Sequence, residues 1–473
     1  MLRCVSFARG EVGGAGLLML VSVLLLMGGL GAEELSKGKV IEKVVCQADA
    51  RQSYAVFLPS HYTGDREWPI LYCFDPAARG RVPVERFQEA AEKYGYIVAG
   101  SNNSRNGPFE VSLAATDAMW YDTHARFRID ARRVYAAGFS GGARVACRMG
   151  LAGELVAGVI ASSGGFPGGE PPKSVPFVFF GTAGTEDFNL SELKQLDREL
   201  DSLKVAHRVV IFEGGHDWPS AVLCMEAIEW MEIEAIKAGR RPKDEGLVDA
   251  LFKRRRAGVQ ALEAAGDALG SWRGYAALAA DFKGLREVAE FEKKAAELRD
   301  SRRVRASLKR EQEEERRYGE ASGELYSLKE ALKDPEERPG NLALMLATVA
   351  RLRRKAEAKD DSAERRVAQR VLQGTYVRAY EQARDLRERK DYTLAALELE
   401  AVTAIRPERP LGFYDLAATY ALAGDKKRAL ENLKKAVEKD FKDAARMEQD
   451  PALAGVRGEA GFRRLVEEVR KKQ

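Results

Sequence analysis

The 473-residue sequence is poor in the side chains that usually bind metal ions, with only four histidines and five cysteines. It has no CxxC, HExxH or P-loop motif, and no strand-linked GxGxxG follows the first 32 residues. These patterns hold zinc, redox disulfides and nucleotide phosphates in proteins. We therefore expect no metal and no cofactor, and any chemistry must come from ordinary side chains.

Blocks of five or more consecutive like charges are also absent, and the formal net charge is only +4. About 51 of the 76 basic residues and about 43 of the 72 acidic residues lie after residue 240, where the two signs are interspersed. Such mixing is typical of solvated helix faces. We therefore expect no nucleic-acid partner.

The first 32 residues differ from the rest of the chain. Arg3 and Arg9 precede an uncharged stretch with the apolar core LLMLVSVLLLM, and small residues follow at positions 29–32. This pattern predicts a signal peptide over residues 1–32 and export to the periplasm or the medium. An uncleaved membrane anchor is the alternative, because the uncharged run from Val12 to Ala32 is long enough to cross a bilayer.

Export would place four cysteines, Cys46, Cys73, Cys147 and Cys224, in an oxidising compartment. Four thiols allow three pairings, and the sequence does not choose among them. Cys73 lies within a predicted strand and Cys147 on a core-facing helix. For these two, the pattern favours buried free thiols.

Residues 33–240 alternate short apolar strands with amphipathic helices. Eight strand candidates lie between Val40 and Gly215, and central ones such as PILYCF and VPFVFFG are apolar on both faces. A parallel sheet covered by helices on both sides requires strands of this kind, so the predicted fold class is α/β.

After Gly239 the strand pattern stops, and a charged helical region is predicted for residues 241–375. Residues 376–409 and 410–443 then superimpose with a period of about 34 residues. The aligned pairs are Ala395 with Ala429, Leu399 with Leu433, and Asp391 with Asp425. The stretch GFYDLAATYALAGDKKRALENLKKAVEKDF resembles the tetratricopeptide family, although the first copy has Lys390 where the second has Gly424. The resemblance implies helical pairs over residues 376–473 that bind a protein partner or mediate self-association.

The segment AGFSGGARV, residues 137–145, contains a G-x-S-x-G motif between a predicted strand and a predicted helix. Gly138 and Gly142 permit a tight turn that presents the hydroxyl of Ser140. The Gly141 N–H would lie at the positive end of the helix, where it could bind an oxyanion. Ser140 is therefore the candidate nucleophile.

A serine needs a base, and histidine is the usual one near neutral pH. His216 follows a strand in GGHDWP, whereas His207 lies inside a strand, so His216 is the better candidate. The carboxylate that orients it is predicted to be Asp187, in the loop GTAGTEDFN. Glu186 is the alternative, and Asp217 is disfavoured because it adjoins His216.

The order Ser140, Asp187, His216 resembles the α/β-hydrolase superfamily. The segments YAVFLPSHY, WPILYCFDPAARG, SNNSRNGP and GGHDWP look more narrowly like exported esterases of the polyhydroxybutyrate-depolymerase and feruloyl-esterase group. The resemblance implies a serine nucleophile and two oxyanion donors. The usual HGGG is replaced by DPAARG, in which Pro76 has no N–H, so Ala77 becomes the second predicted donor, with Asp75 as the alternative.

Two further loops are candidates for substrate binding. Asn102, Asn103 and Asn106 in SNNSRNG would contact a substrate carbonyl or hydroxyl, or else belong to a solvated turn. Trp218, next to the predicted base, would form a pocket wall or cap the last helix.

Together these features predict an exported serine hydrolase that cleaves small-molecule or polymeric carboxylic esters, followed by a repeat domain that binds proteins. A serine peptidase of the same fold and a non-catalytic interaction protein are the alternatives. A membrane is expected as a partner only if the N-terminal segment is uncleaved.

Overall fold

The structure, a computed structural model, describes residues 35–472. The predicted leader over residues 1–32 lies outside the described residues. Within residues 35–472, no helix is both long enough and apolar enough to span a bilayer.

One eight-stranded sheet organises the first part of the chain. Its strands are β1 (Val40–Val45), β2 (Ser53–Phe57), β3 (Trp68–Phe74), β4 (Ile97–Ser101), β5 (Ile129–Phe139), β6 (Gly158–Ser162), β7 (Val178–Gly184) and β8 (His207–Phe212). Their spatial order is β1-β2-β4-β3-β5-β6-β7-β8. β2 pairs antiparallel with β1 and β4, and the remaining neighbours are parallel. This is an α/β-hydrolase fold, and the predicted fold class is confirmed.

Helices cover both faces of the sheet. They are α1 (Arg81–Tyr94), α2 (Phe109–Arg126), α3 (Gly141–Leu151), α4 (Leu190–Ser202) and α5 (Ala221–Lys237). Alternate residues of a strand point to opposite faces: Tyr72 of β3 belongs to the core under α2, α3 and α4, whereas its neighbour Leu71 belongs to the core under α1 and α5. This two-sided burial explains why the central strands are apolar throughout.

Helix α5 is buried on two sides. Ile228 packs in the core with the sheet, whereas Ile233 packs in a second core with three more helices. These are α6 (Glu245–Ala264), α7 (Ala268–Phe282) and α8 (Ala289–Asp300). The Nε1 of buried Trp230 also donates to Asp281 of α7 at 2.8 Å. The compact unit that contains the sheet therefore runs to Leu308, beyond the boundary predicted after residue 240.

In the described residues of the second compact unit, Lys309–Gln473, the regular elements are helices joined by short turns and loops. Its helices are α9 (Arg302–Ala331, which begins in the first unit), α10 (Arg338–Ala356), α11 (Ala363–Glu388), α12 (Tyr392–Ile405), α13 (Pro410–Leu422), α14 (Lys426–Glu438), α15 (Ala444–Gln449) and α16 (Ala460–Lys471), with a 3-10 helix at Pro451–Val456.

The two segments predicted to repeat have matching local geometry. Asp391 caps α12 and Asp425 caps α14, each by accepting a backbone N–H three residues later. Lys390 has φ +63°, close to the +81° of Gly424 one repeat later. The same left-handed turn thus precedes both helices, although only the second copy has glycine there. The assignment to the tetratricopeptide family itself stays a prediction.

The four cysteines among the described residues, Cys46, Cys73, Cys147 and Cys224, are buried and free. The expectation of free thiols at Cys73 and Cys147 agrees with this arrangement, and the structure contains no pairing of the four.

Candidate active site

A sharp turn between β5 and α3 presents Ser140. The serine has φ +54° and ψ −119°, a left-handed conformation that non-glycine residues rarely adopt. Its backbone N–H donates to Ser162 O at 2.8 Å. A Cβ on Gly138 would lie 2.0 Å from Gly142 O, and one on Gly142 would lie 2.0 Å from Phe74 O. The glycines around Ser140 are therefore required by close backbone approach.

The structure brings Ser140, His216 and Asp187 into one hydrogen-bonded chain. His216 Nε2 lies 3.0 Å from Ser140 Oγ, and His216 Nδ1 lies 2.9 Å from Asp187 Oδ1. The carboxylate of Asp187 is fully buried and also accepts the Asn189 N–H at 2.8 Å. The three residues follow β5, β8 and β7, whose carboxyl ends lie at one edge of the sheet. This arrangement lets the imidazole take a proton from the serine while the carboxylate fixes its tautomer.

Two phenylalanines enclose the imidazole of His216. The ring centroid of Phe139 lies 4.7 Å from that of His216, and the centroid of Phe188 lies 4.2 Å from it. Both phenylalanines are buried, and their contacts restrict rotation of the imidazole. Sequence reasoning missed them, although one directly precedes Ser140 and the other directly follows Asp187.

The alternative base is engaged elsewhere. His207 Nδ1 lies 2.8 Å from Val205 O, and its Nε2 lies 3.3 Å from Asp197. Burial alone would lower the pKa of His207, but the hydrogen bond and charge of Asp197 raise it. Of the alternative acids, Asp217 accepts the backbone N–H of Trp218 at 2.7 Å. These partners tie His207 and Asp217 to their own surroundings.

The two predicted oxyanion donors differ in their surroundings. Gly141 is the first residue of α3, and the first amide groups of a helix have no partner within it. The Ala77 N–H instead donates to Asp75 Oδ1 at 2.8 Å. Ala77 is therefore not a free donor in this structure, because the preceding aspartate captures its amide.

The buried Asp75 carboxylate joins two loops. Besides Ala77, it accepts two hydrogen bonds from Arg79, each of 2.9 Å, and one of 2.9 Å from Trp218 Nε1. The indole of Trp218 is buried, with its centroid 5.8 Å from that of Phe139. Trp218 therefore does not form the open pocket wall considered from the sequence. It connects the loop after β8 to the loop after β3.

The three asparagines of the loop after β4 divide into two groups. Asn102 Nδ2 donates to Glu42 O at 3.0 Å, and Asn103 accepts the Ser53 N–H at 2.8 Å and donates to Arg51 O at 3.0 Å. These bonds fasten the loop to the β1–β2 hairpin, so their expected role in substrate binding is not supported.

Asn106 occupies a different position. Its Oδ1 is so near Gly141 that a Cβ on that glycine would lie 1.9 Å from it. Its backbone N–H donates to Pro76 O at 2.8 Å. Among the three asparagines, Asn106 is the one beside the serine turn.

No protein-family model and no curated protein sequence matches the chain. Similar solved structures include a ferulic acid esterase, with 17% identity, a TM-score of 0.34 and coverage of 41% of this chain and 97% of the other. An S-formylglutathione hydrolase from Staphylococcus aureus has 15% identity and a TM-score of 0.32, covering 38% and 90%. Porphyromonas gingivalis dipeptidyl peptidase 4 has 13% identity and a TM-score of 0.34, covering 41% and 35%.

Proposed function

We propose that the first unit is a serine hydrolase that cleaves carboxylic esters. The observation that carries the proposal is the chain of contacts from Ser140 through His216 to the buried Asp187. One imidazole nitrogen forms a hydrogen bond with a buried carboxylate, and the other nitrogen lies within hydrogen-bonding distance of a serine hydroxyl. This arrangement is suited to nucleophilic acyl transfer.

In the proposed reaction, Ser140 Oγ attacks the acyl carbon of the ester and gives its proton to His216 Nε2. The tetrahedral intermediate collapses as His216 returns that proton to the departing alcohol, which leaves an acyl-serine. Water then attacks the acyl carbon and gives a proton to His216. The bond between the acyl carbon and Ser140 Oγ breaks as His216 returns that proton to Oγ, and the carboxylic acid is released. Asp187 stabilises the imidazolium in both steps without taking the proton.

The Gly141 N–H, at the start of α3, is the oxyanion donor we assign. A second donor would require the Ala77 N–H to turn from Asp75 towards the substrate. Each such donor contributes about a hundredfold to the rate of related reactions.

The test compares p-nitrophenyl acetate with p-nitroacetanilide, which has the same acyl group but an amide leaving group. We expect turnover of the ester, little turnover of the amide, and loss of both activity and fluorophosphonate labelling in Ser140→Ala. Faster amide cleavage would favour a peptidase. Ester turnover that is unchanged in Ser140→Ala would refute the mechanism.

We also propose that the chain is exported and that the second unit binds a protein or a second copy of the chain. A groove of about 500 Å³, lined by residues including Tyr380, Arg384, Tyr392 and Leu422, supports the binding role. Fractionation with N-terminal sequencing of the product tests export. Light scattering of the chain with and without residues 309–473 tests self-association. If the full chain has the molar mass of a monomer, the proposed partner is a different protein.

A further inference from the structure

A second cavity lies at the opposite edge of the sheet from Ser140. Its walls include Ala157 just before β6, Val178 at the start of β7 and Ala206 just before β8. These are the amino ends of parallel strands, whereas the candidate active site follows their carboxyl ends. The cavity has a volume of about 370 Å³, within the range of small-molecule sites. We call it the amino-edge pocket.

The lining of the amino-edge pocket combines polar and apolar groups. Tyr135, Ala157 and Met231 line the pocket, and all three are almost inaccessible to solvent. The pocket therefore reaches the core between the sheet and α5. Pro176 and Leu203 also line the pocket and are exposed, so a ligand with an apolar body can cover them where a small inorganic ion cannot.

The rim of the same pocket is cationic. Lys173, Lys204 and Arg240 line it, and within residues 35–472 none of them forms an ion pair with a carboxylate. The guanidinium of Arg240 donates a long hydrogen bond, of 3.4 Å, to Arg132 O. The acidic lining residue, Glu234, is already paired with Lys237 at 2.7 Å. The rim therefore carries an excess of positive charge beside the apolar groups of the lining.

We propose that the amino-edge pocket binds an organic carboxylate with an apolar body. The carboxylate lies among Lys173, Lys204 and Arg240, and the apolar body lies against the exposed lining residues Pro176 and Leu203. This inference does not depend on the proposed hydrolase activity, because the pocket shares no residue with the candidate active site.

Isothermal titration calorimetry of the full chain with 3-phenylpropionate tests the proposal. We expect one site, with affinity reduced at least about tenfold for the uncharged 3-phenylpropionamide, which has the same shape but no anion. Lys204→Gln and Arg240→Gln should each weaken carboxylate binding by about fivefold or more. The matched control Lys253→Gln, an exposed lysine of α6 outside the pocket, should bind as wild type does.

Ala238→Trp provides a steric test, because Ala238 is an exposed lining residue whose enlargement should fill the pocket. We expect it to abolish binding while ester turnover stays unchanged. If that variant fails to fold, the double variant Lys204→Gln with Arg240→Gln decides. No detectable binding, equal binding of acid and amide, equally tight binding of inorganic phosphate, or full binding by the pocket variants would overturn the proposal.

Discussion

Trp218 Nε1 donates a 2.9 Å hydrogen bond to the buried carboxylate of Asp75. This bond connects the loop after β3 to the loop after β8, which are distant in sequence. The loop after β8 also carries His216. The position of the proposed base therefore depends on a contact that neither loop makes alone.

The substitution Trp218→Phe removes that donor and keeps an aromatic ring against Phe139. We expect kcat for p-nitrophenyl butyrate to fall about tenfold with little change in KM, because loss of one hydrogen bond to a buried charge costs about 1.5 kcal/mol or more. Steady-state kinetics measures the effect. Trp272→Phe in α7 is the matched control, and an equal loss in that variant would argue against a positioning role for Trp218.

The substitution Asp187→Asn should lower kcat by about four orders of magnitude, because an asparagine favours the wrong imidazole tautomer and leaves the imidazolium without a counter-charge. Burst kinetics with a p-nitrophenyl ester measures the acylation step. The neighbouring Glu186→Gln is the control and should retain activity. The reverse result would assign Glu186 as the orienting carboxylate.

The substitution Gly142→Ala should destabilise the first unit, since its Cβ would lie 2.0 Å from Phe74 O. Overpacking of this kind costs about 1–3 kcal/mol, which thermal unfolding detects. Gly215→Ala, in the histidine loop, has no heavy atom within 4 Å of the added Cβ and should unfold like the wild type. Equal thermal unfolding midpoints for the two variants would contradict the close backbone packing described for the turn at Ser140.

A chain that ends at Leu308 should fold and keep the proposed ester hydrolase activity, whereas a chain that ends at Arg240 should aggregate. The shorter chain exposes Ile233 and leaves Trp230 without its partner Asp281. Soluble yield, circular dichroism and turnover compare the two truncated chains directly. A well-folded, active chain ending at Arg240 would show that α6–α8 are dispensable.

The four buried thiols should not react with Ellman's reagent at pH 8 until the protein unfolds. Burial raises the pKa of Cys224 to about 12 and, together with the nearby Asp122, raises the pKa of Cys46 to about 12, so their thiolate fraction at pH 8 is very small. Titration before and after denaturation in urea counts the reactive thiols. Rapid reaction of the native protein would contradict the burial, and fewer than four thiols after unfolding would indicate a disulfide.

The meeting of Ser140, Asp187 and His216 could be anticipated because each follows a parallel strand, and the carboxyl ends of such strands share one edge of a sheet. Strand periodicity likewise predicted the fold class. Both inferences use local patterns together with a topological rule.

The partners of the polar loop residues could not be anticipated in this way. Asn102 and Asn103 bond to residues about 50–60 positions earlier in the chain. Ala77 loses its free amide to the side chain of Asp75. A loop sequence shows which groups can form hydrogen bonds, but it does not show which distant backbone atoms the fold brings to them.

The packing of α5 against α6–α8 could not be anticipated for another reason. Helix α5, whose sequence includes EAIEWMEIEAIK, has buried apolar residues on more than one face. That distribution indicates a helix covered on both sides. The strand pattern ends at residue 239, and this end suggested a domain boundary there instead. Glu229 and Glu232 are also buried there, and both are paired with arginines.

The left-handed backbone of Ser140 lowers the stability of the fold at the same residue that carries the reactive hydroxyl. Holding a serine at φ +54° costs on the order of 1–3 kcal/mol that a glycine would not incur. Selection for thermal resistance alone would therefore favour glycine at position 140. The fold keeps a permanent local strain there, and this strain presents a partly exposed hydroxyl to the imidazole of His216.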